Sequence, residues 1–169
     1  MTIFLAAFVT ISLMILLTAL YVGAEFATVA ARRTRIGQMA AQGDSLARML
    51  LPYLEDSRKL DRYVAACQVG ITISSLVLGA YAQGAIATRL VEPLSNLLGA
   101  VVSPATALRL GTSVSVIGVL IFITALQVIL GELLPKSLAL QNPERLARRG
   151  LGFAGLDELG VDLADLHAH

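Results

Sequence analysis

Apolar positions along this chain fall into three long uninterrupted runs separated by charged or punctuated stretches. Met1–Ala24, Tyr63–Thr88 and Gly111–Leu130 contain no Asp, Glu, Lys or Arg. A bilayer-spanning helix needs about 20 consecutive apolar residues, and each run supplies them. The periodicity is apolar all round, which marks a helix buried in a large core or one immersed in lipid. A chain of 169 residues cannot surround three such helices with protein. The pattern therefore predicts an all-α membrane protein with three transmembrane helices. The first run is a poor secretory signal: it has no basic n-region, is too long, and has no convincing small-x-small site before Glu25.

The stretches between the runs have patterns of their own. In the loop from Ala31 to Arg62, Ile36, Met39, Ala40, Leu46, Met49, Leu50, Tyr53 and Leu54 recur at near-helical spacing, and Gly43-Asp44 interrupts them. Two short amphipathic juxtamembrane helices follow. They lie on the inner membrane surface or form a small helical hairpin beside it. The connection from Arg89 to Leu110 is also apolar, with Pro93 and Pro104 as punctuation. Leu94, Leu97, Leu98 and Val101 predict short helices packed against the outer ends of the spans.

Composition agrees. Hydrophobic residues make up 56% and charged residues only 15%, where soluble domains run near 25% charged. The charges set an orientation. Arg32, Arg33, Arg35, Arg48, Arg58, Lys59 and Arg62 crowd the first connection, and Lys136, Arg145, Arg148 and Arg149 follow the third span. The second connection carries only Arg89 and Arg109. Basic loops remain cytoplasmic, so the N-terminus is outside and the C-terminus inside, as an odd number of spans requires. The destination is the cell (inner) membrane, as a multi-pass protein. A net charge of +1 and the lack of a basic stripe with aromatics argue against nucleic acid as a partner. Cys67 is alone, and His167 and His169 belong to the tail, so neither a disulfide nor a Cys/His metal site is expected. No nucleophile-base motif, HExxH or P-loop occurs, and an enzyme is not expected.

Polar residues inside the spans carry the candidate chemistry, because an ionisable group in the membrane is costly and faces the protein interior. Thr72 and Ser75 are three apart and share one helix face. Their hydroxyls could offer oxygens to a hard cation or bond neighbouring helices. The third span ends in Gly131-Glu132-Leu133-Leu134-Pro135-Lys136. Pro135 lacks an amide hydrogen, which frees the Gly131 carbonyl four residues earlier beside a carboxylate. Such oxygens suit Mg²⁺ or Ca²⁺. Glu25 after Gly23-Ala24 repeats the theme at the inner end of the first span. Both acids could equally be interfacial groups paired with Lys136 or Arg32.

The string GELLPKSLALQNPER resembles the end of the transmembrane domain of the cyclin-M and CorC magnesium-transporter family. Gly131, Glu132, Pro135, Lys136, Asn142, Pro143 and Glu144 match its GExxPK and NPE elements. GAEFATVAARRTRI is similar to the family's first-span exit and QVGITISSLVLGA to its second span. The likeness covers residues 1–148, read as the transmembrane domain, leaving 149–169 as a short tail. It implies a homodimer that transports a divalent cation, Mg²⁺, as efflux driven by an ion gradient. Glu132, Thr72, Ser75, Gly131 and Glu25 are the residues expected to hold the ion. Many family members carry a serine where Ala24 or Val22 stands, and asparagines in the second span where this chain has Ile71, Thr72 and Ser75. The more hydrophobic form is common in the family's bacterial haemolysin-like branch. Family members normally continue into paired CBS domains that bind nucleotide. This chain ends before any, so no nucleotide site is expected within it. A membrane anchor or interaction module without transport is the alternative.

Overall fold

The computed structural model describes residues 2–154, with side chains for 5–150. The expected tail from residue 155 onward, with His167 and His169, lies outside the described residues. Helix α1 runs Thr2–Ala30, α2 Arg33–Ala41, α3 Ser45–Glu55 and α4 Ser57–Ala82. A π-helical turn, Gln83–Ala87, carries α4 directly into α5, Thr88–Leu98. Helix α6, Pro104–Gln127, passes through a second π turn, Val128–Leu133, into α7, Leu134–Gln141, and α8 is Pro143–Ala154. No strand occurs among the described residues.

Three continuous helical stretches are long and apolar enough to cross a membrane: Leu5–Ala30, Ser57–Leu98 and Pro104–Gln141. The second is 42 residues long, roughly 60 Å at about 1.5 Å per residue. A hydrocarbon core is only about 30 Å thick, so this helix must tilt or project beyond it. The expected short helix in the second connection is present as α5, which packs against α6, but it follows α4 without a break. Residues up to Leu98 extend the second span instead, and only residues 99–103 link it to α6. Helix α6 starts where Ser103 accepts a hydrogen bond from the Thr106 amide at 3.4 Å, with Pro104 in the first turn.

At the basic end, α2 and α3 form a hairpin. Gly43 takes a positive φ of 97° at the turn, and Asp44 caps α3 by accepting from the Ala47 amide at 3.0 Å. Ile36, Ala40, Ala47 and Leu50 are buried in one cluster with Ala24, Ala27, Tyr63, Cys67, Ala139 and Ala147. The two predicted short helices form, and they pack as a hairpin against the spans. Leu46 and Met49 point outward from it. Helix α8 docks on α1 with Gly150 against Ala24, where an added Cβ would meet the Ala24 Cβ at 2.8 Å. Arg148 of α8 pairs with Asp44 of the hairpin.

A second apolar cluster occupies the other end: Ile11, Ile15, Leu78, Ala82, Ala87, Val119 and Ile123. There the Ser115 hydroxyl donates to the Ala87 carbonyl, at the C-terminal end of the first π turn. Between the two clusters lies a polar layer. Thr18 on α1, Ser74 on α4 and Gln127 on α6 are all buried, one from each span. Helix α1 is the central post, packing on α4, α7, α8 and the second π turn.

Candidate ion site

The polar layer is built one helix at a time. On α4, the Ser74 hydroxyl donates to the Gly70 carbonyl at 2.7 Å, and Thr72 to Gln68 at 2.8 Å. Such back-bonding satisfies a hydroxyl within its own helix. Ser75, next to Ser74, instead reaches across the bundle and accepts from the side-chain amide of Gln127. On α1, Thr18 is fully buried and donates to the Met14 carbonyl at 3.1 Å. The Tyr21 ring of α1 packs directly on α4 here. A Cβ on Gly70 would fall 2.7 Å from Cζ of Tyr21.

Gly131 and Glu132 sit in the second π turn. Gly131 is buried, and a Cβ added to it would lie 3.5 Å from both Gln127 and Thr18. Glu132 is half-buried. The Leu134 amide bonds the Ile129 carbonyl, five residues back. Pro135 stands four residues after Gly131 and five after Leu130, where the π register gives way to α7. Pro135 has no hydrogen to give, so a backbone acceptor beside Gly131 goes without its helical donor. Single π turns inside α-helices recur at functional sites because they re-aim carbonyls and side chains. The glycine leaves the space in front of Thr18 open.

Glu25 lies about two turns along α1 from Thr18, half-buried, beside the Gln68 amide and in the field of the Lys136 ammonium. Lys136 stands over the Phe26 ring, its Nζ 4.2 Å from the centroid, a cation–π contact. Two ion pairs form among the described residues, Arg33–Glu55 and Arg148–Asp44, and Glu132 is in neither. Among the described residues no three of His, Cys, Asp and Glu gather. A cation held within one chain would thus have at most two such side chains plus neutral oxygens and water, a set that Mg²⁺ tolerates because it retains part of its hydration shell.

Of the residues picked from sequence, Gly131 and Glu132 share the π turn, and Ser75 joins it through Gln127. Glu25 stands apart toward the basic end of the bundle, and Thr72 is exposed on the surface of the single chain. Sequence reasoning passed over Gln127 and Thr18. The signal was present: Gln127 is a primary amide inside the run Ala125–Leu130, one turn ahead of Gly131. It also passed over a buried trio near the inner end, where Thr28, Tyr63 and Cys67 face one another. The Thr28 and Tyr63 hydroxyls there make no hydrogen bond of good geometry.

Residues 8–155 match the family described as the cyclin M transmembrane N-terminal domain. The chain belongs to that family. Among curated relatives of this cyclin-M chain, the UPF0053 protein YhdT of Bacillus subtilis is 37% identical over 138 residues, 82% of this chain and 28% of YhdT. The UPF0053 protein YhdP of the same organism is 34% identical over 142 residues, 82% of this chain and 29% of YhdP. In Synechocystis, the UPF0053 protein sll0260 is 32% identical over 137 residues, covering 81% of this chain and 28% of that protein. The chain thus spans under a third of the length of these relatives. Its family and its three candidate spans make it a membrane protein of the CorC and cyclin-M type.

Proposed function

We propose that this cyclin-M domain is the membrane core of a divalent-cation transporter whose cargo is Mg²⁺. It sits in the cell (inner) membrane with its N-terminus outside, works as a homodimer, and exports the ion, driven by the gradient of a second ion. It performs no catalysis. The observation that supports this reading is the π turn Val128–Leu133, which holds Glu132 next to Gly131, itself packed on the buried Thr18 and Gln127. Irregular backbone at membrane depth is tolerated where it lines a cavity or a site, and transporter sites commonly lie near the bilayer midplane on interrupted helices. Thr18 stands at the middle of the Leu5–Ala30 span.

A second reading has support of its own. Gln127–Ser75 and Glu25–Gln68 satisfy several of these polar groups without any cation, as a membrane anchor or interaction module would require. Flux separates the two. Proteoliposomes loaded with a Mg²⁺-sensitive dye and given an outward-to-inward Mg²⁺ gradient should show uptake that is lost in Glu132→Gln. Wild-type vesicles no leakier than protein-free ones, with or without Na⁺ and proton gradients, would favour the anchor.

A further inference from the structure

An apolar groove of about 1220 Å³ runs along the bundle between α1 on one side and α6, α7 and α8 on the other. Along α1 it extends from Ala7 to Ala24, roughly 25 Å at about 1.5 Å per residue. That is most of the depth of a hydrocarbon core of about 30 Å. Its walls are side chains such as Phe8, Ile15, Phe122 and Leu130. Its lining includes two charged residues, Arg145 and Arg149, both on α8 at one end. They are four apart, so they rise from one face of that helix.

Three features set these arginines apart from the other basic residues at this end. Arg148, between them, turns away to Asp44. Neither of the two ion pairs among the described residues includes Arg145 or Arg149, and both are exposed. Their helix is held rigidly at the mouth, with Gly150 pressed against Ala24 and Arg148 tied to the hairpin. The result is an amphipathic cleft: a long apolar trough in the membrane with two uncommitted guanidinium groups where it opens at the basic end.

We propose that this groove binds an anionic phospholipid of the inner leaflet, its acyl chains in the trough and its phosphate between Arg145 and Arg149. Guanidinium forks match phosphate oxygens in geometry and charge. Basic pockets between transmembrane helices on the cytoplasmic side take anionic headgroups, and the skew of basic residues puts this end in the cytoplasm. The apolar walls distinguish a lipid from a free anion, and the arginines distinguish an acidic lipid from a zwitterionic one. The site is independent of transport and stands whether or not the chain moves an ion.

The test is native mass spectrometry of the full chain in detergent, titrated with phosphatidylglycerol or phosphatidylcholine of identical acyl chains. Wild type should retain phosphatidylglycerol about tenfold more tightly, given favourable electrostatics at each of two arginines. The double variant Arg145→Gln, Arg149→Gln should bind both lipids alike, and Arg145→Lys, Arg149→Lys should recover most of the preference. Both positions are exposed, so folding is not at stake, and an unchanged thermal midpoint checks that. A preference that survives the glutamine pair overturns the proposal. So does its loss on adding millimolar inorganic phosphate, which would identify a free-anion site. A lipid-free dimer that excludes phosphatidylglycerol at every concentration would show that a second copy fills the groove, and overturns it too.

Discussion

Gln127 on α6 donates its side-chain amide to the Ser75 hydroxyl on α4, joining two spans through the bundle interior. Gln127 is 9% exposed, so an amide without this partner would stay desolvated. Interhelical hydrogen bonds in membranes average about 0.6 kcal/mol and reach about 1.7 kcal/mol. Gln127→Leu is expected to destabilise the folded chain by about 1 kcal/mol, within that range. Ser75→Ala in the leucine background should then cost almost nothing, because the bond is already gone. A double-mutant cycle by equilibrium unfolding in mixed micelles reads the coupling. Fully additive costs would mean that the two side chains do not interact.

The ring of Tyr21 occupies the space a side chain at position 70 would need, with three ring atoms 2.7 to 2.9 Å from an ideal Cβ. Gly70→Ala must therefore push the ring or part α1 from α4, and overpacking of this kind costs about 1–3 kcal/mol. Gly79→Ala has nothing within 4 Å to meet and should be neutral or slightly stabilising, since alanine is the better helix former. Replacing Tyr21 with Leu in the Gly70→Ala background should return most of the loss. Thermal unfolding of the four proteins gives the answer, and equal midpoints for the two alanine variants would remove the close approach from consideration.

The spans were legible because nothing but membrane helices explains long runs without charge, and the hairpin because Gly43-Asp44 pairs a turn residue with a helix cap. The π turns were not. Their onset depends on how α4 and α6 pack against neighbours, and neither Gln83–Ala87 nor Val128–Leu133 has a composition that an ordinary helix lacks. For the same reason, sequence reasoning freed the Gly131 carbonyl from the α register alone and had no sign that Gly131 and Glu132 lie inside a π turn. Thr72 and Ser75 illustrate a second limit. Spacing put them on one face, but only the packing of α6 decides that Ser75 meets Gln127 while Thr72 bonds its own helix. Glu25 could be read as paired with Lys136 or Arg32, and the fold brings Lys136 to it.

Orientation is tested by labelling. Val101, in the short 99–103 link, is 86% exposed, and Ser45 is exposed at the start of α3. Cys67 is buried, so the native thiol contributes little background. In intact cells an impermeant maleimide should modify Val101→Cys and spare Ser45→Cys until the membrane is permeabilised. Labelling of Ser45→Cys alone would invert the topology.

Small residues on the second span divide into two groups. Gly70 and Ser74 are committed within the protomer, to Tyr21 and to the helix interior. Gly79 and Gly84 face open space, where a second chain could approach closely. If the protein is a dimer through this face, Gly79→Leu should shift the detergent-corrected mass in multi-angle light scattering from two chains to one without lowering the melting temperature of the protomer. A wild type that is monomeric at high protein concentration would refute the dimer. A Gly79→Leu protein that remains dimeric would move the interface elsewhere.

Glu132 provides the sharpest test of the ion site. A carboxylate within a span costs roughly 2.5–3.5 kcal/mol at the helix centre unless it is paired or solvated. Lys136, the base nearest in sequence after it, is engaged over Phe26 and beside Glu25. Glu132 joins neither ion pair among the described residues. Its neighbour in the turn is a carbonyl that Pro135 leaves without a donor. A hard cation satisfies both oxygens together, whereas an ion pair with a lysine would satisfy only the acid. Glu132→Gln keeps the size and removes the charge. A ligand that binds only the folded state stabilises it by about 2.7 kcal/mol at 100 times its Kd, so the wild-type Tm should climb through a millimolar Mg²⁺ titration. The glutamine variant should keep the apo Tm of wild type or exceed it, since an unpaired charge has been removed, and its Tm should stay flat as Mg²⁺ rises. Glu25→Gln measured alongside separates the basic end from the turn: Glu25 is in neither ion pair among the described residues, so its variant should keep the apo Tm and most of the Mg²⁺ response. A Glu132→Gln protein whose Tm rises with Mg²⁺ as wild type does would remove this carboxylate from the ion site.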